Sequence, residues 1–175
     1  MNANWEPSHE GWYSRAQPGS TSFTPTRENL LLALTVDTPA RQGTLVAALF
    51  KPNVAIDGSG RVLSLAQPDI DGISSLAAQV LSLPDTGSFQ NQWRIDHPIT
   101  SRPIYKLHIT DGGQTKLTSV YGYEKGNKKL KSNTAGHDEL PDALYQLLGL
   151  LQEGQQGSES GGNSEVVEAV KALIA

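Results

Sequence analysis

The run from residue 103 to residue 123 constrains the fold more than any other stretch. Tyr105, Leu107 and Ile109 alternate with Lys106, His108 and Thr110. A period of two puts the apolar side chains on one face of a strand and the polar ones on the other. Asp111, Gly112 and Gly113 then supply residues that accept the left-handed backbone of a tight hairpin turn. On the returning strand Leu117, Tyr121 and Tyr123 are expected on one face. The reading is a β-hairpin whose Leu107, Ile109 and Leu117 are buried against helix faces carrying Val80, Leu144 and Leu148.

The flanking sequence adds strands before the hairpin and helices on either side. Residues 29–36 alternate like a strand, although a short helix starting at Thr26 satisfies the same residues. Residues 44–50 are apolar on both faces, as in a strand covered on both sides. Residues 54–56 and 61–65, joined by Asp57-Gly58-Ser59-Gly60, read as a second hairpin. Residues 73–83 read as a helix with Ser74 as N-cap and Leu76, Val80 and Leu83 on one face, ended by Pro84. A short strand is expected at residues 92–95 and a polar loop at 126–136. Residues 140–152 form a second helix with a Leu stripe and Pro141 in its first turn. Residues 1–28 are an irregular arm, in which Trp5, Trp12, Tyr13 and Phe23 are expected to fold back on the domain. Residues 29–152 make the α+β domain. Residues 153–164, rich in Gly, Gln and Ser, read as a flexible linker. Residues 165–175 are an amphipathic helix with Val166, Val167, Val170, Leu173 and Ile174 along one side. The fold class is α+β: an antiparallel sheet of about six strands with helices packed on one face, plus this C-terminal helix.

The middle of the chain resembles a group of small bacterial α+β domains. They include emfourin-like inhibitors of thermolysin-like metalloproteases and several families of unknown function. The residues that carry the resemblance are the Tyr105-Lys-Leu-His-Ile-Thr-Asp-Gly-Gly run, Val120-Tyr121, and Leu140-Pro141-Asp-Ala-Leu144-Tyr-Gln-Leu147-Leu148. They span residues 103–151 and imply a shared fold, with no inhibitory residue to carry over. The terminal linker and helix separately resemble the docking tails of bacterial microcompartment cargo.

Chemistry is constrained mainly by what is missing. With no cysteine, disulfides, thiol catalysis, thiolate zinc sites and iron–sulfur clusters drop out. There is no nucleophile elbow, P-loop or dinucleotide fingerprint. His9, His97, His108 and His137 lack the spacing of a metal-binding helix. Asp57-Gly58-Ser59-Gly60 lacks the later ligands of a calcium loop and reads as a turn. No cofactor or metal is expected. Lys125, Lys128, Lys129 and Lys131 cluster beside Tyr121 and Tyr123, as in single-strand nucleic-acid binders. Against that, the net charge of the chain is -4, and a patch of four lysines holds phosphate weakly at cellular salt. No apolar run is long enough to span a membrane. The expectation is a soluble bacterial protein without nucleic-acid or membrane partners. It is cytoplasmic, or periplasmic if the sequence is a mature form. Its expected function is a non-catalytic protein–protein interaction module, the alternatives being a protease inhibitor and an enzyme whose site is assembled from scattered residues. The candidate contact residues are Lys125, Lys128, Lys129, Lys131, Val166, Val167, Val170, Leu173 and Ile174. The terminal helix either covers its own domain or docks on another protein, and the first is expected because exposed Val and Ile are a liability.

Overall fold

The computed structural model describes residues 11–20, 22–83, 88–90, 103–111, 114–124, 126–130, 138–157 and 164–174. In chain order the elements are Trp12–Arg15 (α1), Gln17–Pro18 (β1), Leu30–Asp37 (β2), Thr44–Phe50 (β3), Val54–Asp57 (β4) and Val62–Ser64 (β5). They continue with Gln67–Leu81 (α2), Ser88–Gln90 (β6), Ile104–Asp111 (β7), Gln114–Tyr121 (β8), Asp142–Leu151 (α3), a 3-10 helix Gln152–Gly157, and Ser164–Leu173 (α4). The strand expected at residues 92–95 lies outside the described residues.

One sheet of eight strands runs in the order β1-β5-β4-β3-β2-β7-β8-β6. Seven strands pair antiparallel, and β6 adds to β8 in parallel at the edge. Between β5, near one edge, and β6, at the other, the chain runs through α2.

The inner face carries α2 and α3. Leu32, Leu34 and Val36 of β2 stand beside Ile109, Leu107 and Tyr105 of β7, and Val120 of β8 continues the row. Ile70, Ile73, Leu76 and Val80 of α2 and Leu144, Leu147, Leu148 and Leu151 of α3 close over them. The helix α2 begins six residues before the expected start at Ile73. Ala66 precedes it, Pro68 sits in the first turn where its missing N–H costs nothing, and Asp69 complements the positive end of the helix. Ser74 is therefore inside the helix and caps nothing. At the other end the Lys116 ammonium donates to the carbonyls of Val80 and Leu83, both at 3.0 Å, and so places a cation at the C-terminus of the helix.

The helices α2 and α3 share one face, as the sequence reading expected, and the C-terminal helix α4 lies on the other. Residues Leu30, Ala33, Leu45, Ala48, Phe50 and Ile56 form a second apolar layer on the outer side of β2, β3 and β4, and α4 covers it with Val170 fully buried. Strands β2 and β3 can carry apolar residues on both faces because both faces are covered. Register shifts at Leu31 and Val46 adjust them, one extra residue in each strand.

The N-terminal arm folds back on the domain at Trp12 and Tyr13, as expected, and the start of the expected linker is packed as well. The Trp12 side chain is fully buried, and its indole N–H donates to the Leu150 carbonyl at 2.8 Å. The Arg15 guanidinium makes a bidentate pair with Asp69 at 3.0 and 2.6 Å. The first half of the expected linker is the 3-10 helix. There Glu153 accepts the backbone N–H groups of Gly11 and Tyr13 at 2.9 and 3.1 Å. The Gly154 carbonyl accepts the Gly58 N–H at 3.1 Å. A Cβ on Gly154 would stand 2.7 Å from the Val46 carbonyl oxygen, so this approach to the bulged strand requires glycine. Residues 158–163 lie outside the described residues.

Candidate surface on the outer face of the central hairpin

The helix α4 covers only the outer side of β2, β3 and β4. The outer side of β7 and β8 carries Lys106, His108, Leu117, Ser119 and Tyr121. Their placement follows from register: His108 pairs with Leu117 and Lys106 with Ser119, while Leu107 pairs with Thr118 and Tyr105 with Val120. Leu107 and Ile109 are buried as expected, at 0% and 2% exposure, but Leu117 is 48% exposed. The core position expected for Leu117 is filled by Thr118. Likewise Tyr121 faces outward with Leu117, whereas Tyr123 lies in the inner core.

The electrostatics of this surface are local. The Lys106 ammonium sits 2.9 Å from the Asp37 carboxylate, which also accepts the Gly43 N–H at 2.6 Å. Burial pushes the Asp37 carboxyl up, but the hydrogen bonds from Lys106 and Gly43 and the ammonium charge outweigh it and hold it below the usual carboxylate range. Burial, with Lys106 adding like-charge repulsion, lowers the basicity of His108. The surface therefore has an apolar centre, a histidine biased toward its neutral form, and an ammonium already balanced by a carboxylate.

The residues singled out from sequence fall elsewhere. Lys128 hydrogen-bonds to Asp142 in the first turn of α3 and lies 5.7 Å from the centre of the Tyr145 ring. Lys129 reaches Glu139 at 3.8 Å. Their segment is anchored by Leu130, which is buried, and by backbone bonds from Leu130 to Asp138 and from Leu140 to Lys128. Lys125 and Lys131 lie outside the described residues. The two described lysines are thus matched with carboxylates of the neighbouring chain rather than set out as an open cationic patch. Tyr123 and Tyr145 stand beside them, 5.6 Å apart, with Tyr105 6.0 Å beyond Tyr123. Burial drives the Tyr123 phenol well above its ordinary range, with Tyr145 and Tyr105 adding to the shift. Its hydroxyl donates to the Tyr145 carbonyl, so this trio braces α3 against β7.

On α4, Val170 is fully buried, and Val166, Val167, Leu173 and Ile174 pack at the margins of the second apolar layer. The Arg27 guanidinium donates to the Leu173 carbonyl at 3.0 Å and closes the C-terminal end of the helix. In this conformation the stripe is occupied by its own domain.

The buried acids are also committed within the fold. Asp57 accepts from the Tyr13 hydroxyl, the Ser59 N–H and hydroxyl, and the Arg61 N–H, which fixes Asp57-Gly58-Ser59-Gly60 as a turn. Among the described residues no group of three His, Asp or Glu side chains is placed to hold a metal ion. His9, His97 and His137 lie outside them. No described helix is long and apolar enough to cross a membrane. Compared with known proteins, the chain matches no family model, no curated protein and no solved structure.

Proposed function

We propose that the chain is a non-catalytic protein-interaction module, with the outer face of β7 and β8 as its contact surface. The observation that carries this reading is Leu117, the one large apolar side chain exposed among the described residues. It stands on the part of the sheet that α4 leaves bare. A partner covering it would also cover His108, its cross-strand neighbour, and would meet the polar rim of Lys106 and Ser119. The commitment of Asp37, Asp57 and Asp69 to bonds within the fold supports a structural use of the buried charges. The lysine segment and the α4 stripe, matched within the domain, are secondary candidates for the contact.

The test is affinity capture from the source cell with the wild type and with Leu117→Asp. An unchanged melting temperature with loss of specifically captured protein is the expected result. Capture that is identical for the two proteins sinks this surface. A protease-inhibitor role is a special case of the same reading. It would register as saturable loss of activity in a thermolysin-like metalloprotease.

A further inference from the structure

We draw no further inference here: the strongest candidate, the apolar groove of about 100 Å³ between α2 and the bulged start of β2, lined by Leu31, Leu32, Leu49, Ala77, Leu81 and Ile109, is an unpartnered surface and nothing in the structure shows what covers it.

Discussion

Val170 is the point at which the docking of α4 can be measured. Its side chain is fully buried between the helix and Leu30, Ala33, Leu45, Ala48, Phe50 and Ile56. Val170→Ala removes two methyl groups, each worth about 0.8 kcal/mol in burial. A cavity contribution brings the expected loss to about 2 kcal/mol. For a chain of 175 residues that is a fall of roughly 4–8 °C in melting temperature. Val170→Asp tests the same contact differently. An unpaired carboxylate at this position costs more than the helix gains by docking, so α4 should leave the sheet and carry the charge into water. The cost of Val170→Asp then has a ceiling, the docking free energy itself, and should match the cost of deleting residues 164–175. Urea titration of the variants reads these losses as shifts in midpoint at a similar slope. A Val170→Ala protein within about 0.5 kcal/mol of wild type would refute the packing, because that is the range of surface substitutions. If the deletion left the melting temperature unchanged but removed a co-purifying protein, α4 would be a docking tail, and residues 165–175 would replace Leu117 as the functional element.

Two further outcomes follow from the packed N-terminal segment and from the outer face. Trp12→Ala should cost about 3–5 kcal/mol, the range for emptying a large buried aromatic site. Trp12→Phe should recover part of this in thermal melts while leaving the Leu150 carbonyl without its indole donor. His108 is less basic in the folded chain than in the unfolded one. The unfolded state therefore takes up the proton first as pH falls through about 6.5, and stability should drop from there down to the lower folded value. His108→Gln should flatten that part of a stability-against-pH curve. A wild-type curve that rises on acidification through the same window would contradict the assigned shift.

The sequence reading succeeded where one periodicity dominated and failed where two constraints competed. Residues Leu30–Asp37, Thr44–Phe50 and Ile104–Asp111 are strands because their alternation or continuous apolarity meets a covered face. The helix α2 was started too late because Asp69, Asp71 and Gly72 look like loop residues. Pro68 was the available start signal, whereas Pro141, read as lying in the first turn, stands just before α3, which begins at Asp142. The composition of residues 153–157 suggested a linker. Composition does not register that Gly58 and Gly154 allow two backbones to meet, or that Glu153 binds two N–H groups from a segment some 140 residues away. The aromatics of the arm signalled that it folds back, but the partners it finds, Leu150 for Trp12 and Asp69 for Arg15, have no local signature. The arrest of α4 on its own domain was favoured by its stripe of Val and Ile, but the receiving surface became visible only once β2, β3 and β4 were assembled.

The candidate surface was missed for a reason that can be tested directly. Alternation set Leu117, Tyr121 and Tyr123 on one face, and that face was read as the core side. The register decides otherwise. Asp111 pairs with Gln114, and counting back pairs Leu107 with Thr118, so Leu117 must lie opposite His108 on the other face. Thr118 is 1% exposed, and its hydroxyl has no hydrogen-bond partner among the described residues. A buried hydroxyl without a partner costs free energy that an apolar isostere avoids. Thr118→Val keeps the β-branched shape and should stabilise the fold by about 1 kcal/mol. Leu117→Thr should change stability by no more than about 0.5 kcal/mol, as expected of an exposed strand position. If instead Leu117 faced the helices, Leu117→Thr would lose several buried carbons and bring a hydroxyl into the core, at a cost of about 3 kcal/mol or more. Thr118→Val would then be nearly silent. The two registers therefore assign the larger effect to different members of the pair, a gain at Thr118 in one and a loss at Leu117 in the other, read in a single melting experiment. A destabilised Leu117→Thr beside a neutral Thr118→Val would invert the hairpin and remove the exposed leucine on which the interaction surface rests.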